Sequence, residues 1–505
     1  MLFLTSFLAL GTVVSAAAVP TESLQSCLLT AVGTNDTLVA FPDDAQYQEN
    51  DVHMYNLDVP IIPAAVTYPQ SVEMISEIVK CAAKHEHKVQ ARTGGYSFGN
   101  YCLGGSNLTT VVVDTQHLKH FSMDESTWIA TVGAGHRLQE VADKMSAAGG
   151  RAIAQGVAPY VGIGGHATIG GLGPLSRQLG TAADQVVEVQ VVLANGTVAR
   201  ASRTENADLF FALRGAGAGF GVVTEFLFQT SPEPSAEELI DYTFTIRNTS
   251  SSTNTTASSS RELYAETLKT WNTIISDPDL SWNLSSTATM HASGLRIHGR
   301  YYGQRADFDT LALSTRIPNI LTASILSGTE ADSASGFRIL GGDPISFYAK
   351  SLAFSEASNS SSGTLMTNES IDALLDYIDT AEKDTLTWFV IFDLAGGKVN
   401  AVPADDAAYS LRDTLYFLQA YVVDKPRVDE TTRNFLNGLV DNIEANVPGV
   451  RGAYPGFVDP GLGDEEGAEQ YWGANLPKLR TIKADVDPAD VFSNPQSVRP
   501  AAVEE

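Results

Sequence analysis

Basic side chains are scarce in this sequence. Lys and Arg number 32 against 59 Asp and Glu, which leaves a net charge of -27 at neutral pH. Binding to nucleic acid needs clustered cations to neutralise phosphates, so no nucleic-acid partner is expected, and an acidic membrane surface is disfavoured on the same ground. Long apolar runs are also missing: beyond the N-terminus no stretch supplies the roughly 18 uncharged apolar residues of a transmembrane helix. Cysteine is nearly absent, with three in 505 residues. That count permits one disulfide and leaves one thiol over. Cys27 and Cys81 both lie in helix-like segments near the start and are expected to pair, whereas Cys102 is read as a small buried hydrophobe.

The sequence does contain an export signal. Residues 1–18 form a short apolar segment ending in Val14-Ser15-Ala16-Ala17-Ala18, the pattern of a secretory signal peptide, although the basic n-region is missing. Asn-x-Ser/Thr sequons at Asn35, Asn107, Asn195, Asn248, Asn254, Asn283, Asn359 and Asn368 fit passage through a secretory compartment. A secreted or lumenal glycoprotein is therefore expected. With 44% hydrophobic and 18% charged residues, the chain has enough apolar material for a sizeable core, and its length suits two or more domains.

Two glycine-rich stretches dominate the first half: Arg92-Thr93-Gly94-Gly95-Tyr96-Ser97, and Gly156 to His166 continuing through Gly170-Gly171. Glycine lets the backbone approach a ligand closely and adopt positive φ, and successive N–H groups in such turns form an anion-binding concavity. A set of tight turns between strands is the alternative reading.

In chain order, an N-terminal helix and loop (19–56) precede extended Ile61–Val66. Ser71 then opens a helix with Val72, Ile75, Val79 and Ala82 on one face, and strand 88–91 leads into the first glycine loop. Further strands are expected at 110–114 and 128–132, and a helix over 137–148 stopped by Gly149-Gly150. Asn195-Gly196 between apolar runs signals a hairpin. Asn206–Arg214 reads as a short capped helix feeding strand 222–228. Near residue 230 the texture changes, and polar runs at 248–260 and 355–362 bracket longer elements such as His298–Gly303 and Trp388–Asp393.

In combination and order, these motifs resemble the vanillyl-alcohol-oxidase type of FAD-linked oxidoreductase, within it the berberine-bridge-enzyme-like group that includes fungal oligosaccharide oxidases. The resemblance is carried by Arg92–Ser97, Gly162–His166, Asp208–Gly215, Phe220–Thr224 and Tyr471-Trp472-Gly473, and covers about 60–494. It implies an α+β fold: a two-subdomain, PCMH-type FAD-binding α/β domain (60–233), a sheet-based substrate domain (234–460), and a C-terminal segment (461–500) returning to the FAD domain. It further implies that Arg92, Thr93, Gly94, Gly95, Tyr96 and Ser97 wrap the pyrophosphate, that Gly164, Gly165, Gly170, Gly171 and Val223 line the rest of the dinucleotide, and that Asn475 reaches the flavin end. Val161 matches the position where a small branched residue lets O2 reach the flavin.

The sequence departs from the family where many members bond the flavin through a His and a Cys. Tyr96 and Ala158 occupy those positions, so FAD is expected to be non-covalent, and no metal is expected. For proton removal the resemblance points to Tyr454 as the base with Asp393 as its helper; a core tyrosine and a strand-end carboxylate are the alternatives. Relatives carry a second Tyr where this chain has Phe457. The expected activity is FAD- and O2-dependent oxidation of a small-molecule alcohol or related C–H donor, such as a secondary-metabolite intermediate. The alternatives are oligosaccharide oxidation at the reducing-end hydroxyl, or a non-redox cyclase or inactive FAD-binding fold.

Overall fold

The computed structural model describes residues 22–247, 260–328, 343–356, 363–450 and 452–502. The expected signal peptide and the sequons at Asn248, Asn254 and Asn359 lie outside them. Local capping and periodicity explain the first elements. Ser71 accepts a hydrogen bond from the Met74 amide and opens the helix Val72–Lys84, which buries Ile75, Ile78, Val79 and Ala82. A disulfide joins Cys27, in the helix Leu24–Ala31, to Cys81 of that helix, the pairing read from the sequence.

These helices pack with a small sheet of β1 (Val39–Ala40), β2 (Ala65–Thr67), β3 (Lys88–Arg92) and β4 (Thr110–Asp114). Its order is β1-β2-β4-β3, with β2 and β3 both parallel to β4. Residues 121–232 then supply β5 (Phe121–Asp124), β6 (Ile129–Gly133), β7 (Arg151–Ala152), β8 (Val186–Val192), β9 (Val198–Ser202), β10 (Val222–Gln229) and β11 (Ser231–Pro232). Five of them form an antiparallel sheet, β5-β6-β10-β8-β9, while β7 pairs with β11. The Asn195-Gly196 turn joins β8 to β9 as expected, with Gly196 at φ +79. Asn206 precedes the helix Ala207–Leu213 but does not cap it through its side chain. It adopts a left-handed conformation, and its amide donates to the Arg200 carbonyl at 2.6 Å instead.

The third layer is a seven-stranded antiparallel sheet of β12 (Leu239–Ile246), β13 (Thr287–His291), β14 (Gly294–Tyr302), β15 (Thr322–Ser327), β16 (Phe347–Ser355), β17 (Trp388–Leu394) and β18 (Thr414–Val423), ordered β15-β12-β14-β13-β17-β18-β16. Side chains alternate between faces along each strand, and here the two faces differ in chemistry. Leu295, Ile297, Val390, Phe392, Leu418 and Ala420 pack against the helices Ser260–Ile275, Asn368–Thr380 and Glu430–Asn446. Their alternates on the same strands, including Arg296, His298, Asp393, Gln419 and Tyr421, face the other way.

The C-terminal segment packs against the β5–β10 layer. Trp472 Nε1 donates to the Gly215 carbonyl at 3.0 Å, and the fully buried Lys483 ammonium donates to the carbonyls of Gly219 and Phe492 and to Asp487. The architecture is α+β. Leu439 is fully buried among the helices behind the large sheet. Leu439→Ala is expected to cost about 2–5 kcal/mol of unfolding free energy, read by denaturant titration.

Candidate active site

The first glycine loop leaves the end of β3, and the second leads into a short helix, Ile163–Thr168. They touch backbone to backbone. A Cβ on Gly94 would lie 2.5 Å from the Gly162 nitrogen, and one on Gly162 would lie 2.4 Å from Thr93 Cβ. Only glycine permits that approach. Gly165 differs: a Cβ there would meet nothing within 4 Å, because the residue borders open space. That space is a cavity of about 1330 Å³ between the glycine loops and the polar face of the large sheet.

Of the residues expected at the site, Thr93, Gly94, Gly95, Tyr96, Ser97, Ala158, Val161, Gly164, Gly165, Val223, Asp393 and Tyr454 line this cavity. Four are placed elsewhere. Arg92 turns its guanidinium behind the loop, to Asp114 at 2.7 Å and to the carbonyls of Asp51 and Val52, because its buried charge needs a counter-ion. Gly170 and Gly171, at φ +115 and +85, shape the turn outside the cavity. Asn475 donates to the carbonyls of Ala404 and Ala407, fixing a loop rather than reaching the cavity. From the same tail, Asn494, Gln496 and Ser497 line it instead.

His166 has a structural role. Its Nε2 accepts from the Gly156 amide at 3.1 Å, and burial pushes its pKa down to about 4, so the imidazole is neutral. Burial also pushes the Cys102 thiol up to about 11, keeping it protonated. Tyr96 packs at a tilt against Tyr55, with ring centroids 4.9 Å apart.

Tyr454 and Asp393 share the cavity without being bonded to each other. The Tyr454 hydroxyl accepts from the Gly171 amide at 2.9 Å, and burial raises its pKa to about 12. Its ring meets Phe457 edge-on at 5.0 Å, and Phe457 brings no hydroxyl to that wall. Asp393 accepts from the Thr287 hydroxyl at 2.8 Å and from the Gln419 amide; the Gln419 carbonyl in turn accepts from Tyr421. Burial pushes the carboxyl up to about 6, against the lowering effect of its two donors. The amide's orientation is thereby fixed: its nitrogen faces the carboxylate and its oxygen the phenol. Gln419 and Tyr421 escape a reading of the sequence because all of β18 is buried, so no alternation marks its functional face.

Backbone N–H groups along two glycine loops, open space above Gly165 and polar tail residues at the rim suit a dinucleotide, with residues 93–97 and 162–165 to hold its phosphates. Residues 63–202 match the model of the FAD binding domain, and residues 453–499 that of berberine and berberine-like proteins. The FAD-linked oxidoreductase sorD of Penicillium rubens is 35% identical over 487 residues, covering 95% of this chain and 99% of that one. The chain belongs to the berberine-bridge-enzyme-like FAD-linked oxidoreductases. It is also 32% identical to a xylooligosaccharide oxidase of Thermothelomyces thermophilus, over 90% of this chain and 91% of that one. A solved glucooligosaccharide oxidase from Acremonium strictum, with a 6-S-cysteinyl, 8α-N1-histidyl FAD, superposes with a TM-score of 0.82 at 29% identity, covering 95% of this chain and all of that chain.

For this FAD-linked oxidoreductase the loop geometry separates two glycine substitutions. Gly162→Ala is expected to lower both the melting temperature and the flavin content, because it forces the loops apart. Gly165→Ala is expected to leave the melting temperature of the flavin-free protein unchanged and to lower flavin content alone. Gel filtration with absorbance, beside thermal denaturation, reads both. A further expectation concerns Asp393. Its carboxyl titrates above the usual value of 3.8 in the folded protein, so ionisation weakens the fold: the cost is absent below about pH 4 and full above about pH 6. Asp393→Asn is therefore expected to stabilise the protein at neutral pH by up to about 3 kcal/mol and to bring little gain at pH 4, as measured by denaturant titration at both pH values.

Proposed function

We propose that this oxidoreductase oxidises an alcohol or related C–H donor of a small molecule, a secondary-metabolite intermediate, using non-covalently held FAD and O2. The observation that carries the reading is Asp393, a half-buried carboxylate on the cavity wall facing the glycine loops, held by Thr287 and Gln419 and ionised above about pH 6. The donor loses a hydride and a proton. When bound, FAD supplies the hydride acceptor and passes the electrons to O2. We place the base at Asp393, with Tyr454 as its helper, the reverse of the assignment that the resemblance implies: Asp393 takes the proton from the donor's hydroxyl, while Tyr454, still a phenol near neutral pH and with its oxygen held by the Gly171 amide, orients the donor. Phe98, Phe417 and Phe457 surround this end of the cavity, which favours a partly apolar substrate over an oligosaccharide. Val161 lines the same cavity, at the position where the family resemblance puts a small branched residue that lets O2 reach the flavin.

Non-covalent FAD follows from Tyr96 and Ala158. Alanine has no nucleophile, and Tyr96 packs as a ring against Tyr55. Passage through a secretory compartment is supported by the sequons at Asn35, Asn107, Asn195 and Asn368, all exposed.

Two measurements test the proposal. Acid precipitation of the purified protein is expected to leave all flavin in the supernatant; yellow colour in the pellet overturns the non-covalent assignment. In anaerobic stopped-flow against sugars, alcohols and aromatic polyketides, a small-molecule donor rather than a sugar is expected to bleach the flavin. Asp393→Asn is expected to slow that step by about 10²- to 10⁴-fold and to remove the rise in rate with pH centred near 6. An unchanged rate in the variant overturns the role of Asp393, and bleaching by oligosaccharides alone overturns the substrate class.

A further inference from the structure

The register of the large sheet aligns a second set of polar groups with Asp393. Asp393 is the direct cross-strand partner of Thr287, and Thr287 of His298. The adjacent row runs Ile391, Thr289, Arg296. With strands about 4.8 Å apart, Arg296 and His298 stand roughly 10 Å from β17, on the face that carries Asp393. All of these residues line the cavity.

Their hydrogen bonding is defined. His298 Nδ1 lies 3.3 Å from the Thr287 carbonyl, which only accepts, so Nδ1 carries the proton and Nε2 is left as an acceptor. Burial, with the charge of Arg296 beside it, pushes this imidazole down to about 4, so it stays neutral. The Thr289 hydroxyl is buried, at 1% exposure, with no hydrogen-bond partner. Among the described residues, Asp393 is held by Thr287 and Gln419, and Asp241 by Arg300 at 2.5 and 2.7 Å. A chain with a net charge of -27 draws no anion from a distance, so any anion bound here must be held by local groups.

We propose that Thr289, Arg296 and His298 form a substrate subsite for an acidic oxygen, a carboxylate or an ionised enol, about 10 Å from the carbon oxidised beside Asp393. Arg296 and the Thr289 hydroxyl donate to the anion, and His298 Nε2 accepts from a neighbouring hydroxyl of the same molecule. This rests on the oxidoreductase reading of the same cavity.

Calorimetric titration of the FAD-loaded protein tests the subsite without reading turnover. Cinnamate is compared with cinnamamide, and cyclohexane-1,3-dione, ionised as its enolate near neutral pH, with cyclohexanone. At least one anion is expected to bind about tenfold or more tightly than its neutral counterpart, and which one does so separates carboxylate from enolate. Arg296→Gln is expected to abolish that preference while Arg296→Lys keeps part of it. Should Arg296→Gln not fold, Thr289→Val is expected to reduce anion affinity several-fold. Equal binding of anion and neutral partner, or a preference that survives both Arg296→Gln and Thr289→Val, overturns the subsite. Anion preference in a protein whose flavin no donor reduces overturns the oxidation reading and leaves the subsite standing.

Discussion

Everything at the cavity depends on two loops touching through glycine. Gly94 and Gly162 leave no room for a methyl group between the strand-end loop and the loop before Ile163–Thr168. That contact sets the separation of two rows of backbone donors, and hence where a dinucleotide phosphate fits. It also explains why Arg92 need not face the ligand: backbone N–H groups supply the positive field, and the guanidinium braces the loop from behind through Asp114.

The large sheet solves a different problem, since one strand must serve two solvents. On β14, Leu295 and Ile297 enter the helix-backed core while Arg296, His298 and Arg300 enter the cavity. A one-residue slip would exchange the two sets and bury three basic groups against Trp271 and its neighbours. The apolar face therefore fixes the register that aligns Asp393, Thr287 and His298 in one row. Packing behind the sheet and chemistry in front of it are a single constraint.

Much of this was legible in the sequence where residue type dictates backbone shape. The glycine loops, the Asn195-Gly196 hairpin, the Ser71 cap and the Cys27–Cys81 pairing are local consequences of φ, capping or cysteine count. What escaped was direction. Arg92 and Asn475 have the right chemistry for a ligand, yet tertiary partners claim both, Asp114 in one case and the carbonyls of Ala404 and Ala407 in the other. Gln419 and Tyr421 escaped for the opposite reason: in a strand buried on both faces, a polar residue facing a cavity has the same neighbours in sequence as one facing a core. The Asp393 partnership is a cross-strand fact, invisible until β17 and β18 are in register.

The returning tail has a consequence for biosynthesis. Asn494, Gln496 and Ser497 line the same cavity as residues 93–97, yet nearly four hundred positions of chain separate them. Lys483 locks the segment in place by reaching Gly219 and Phe492 from a fully buried site. A nascent chain translated through the large sheet still lacks one wall of its cavity. The cavity is complete only with the segment that carries Asn494, Gln496 and Ser497 in place.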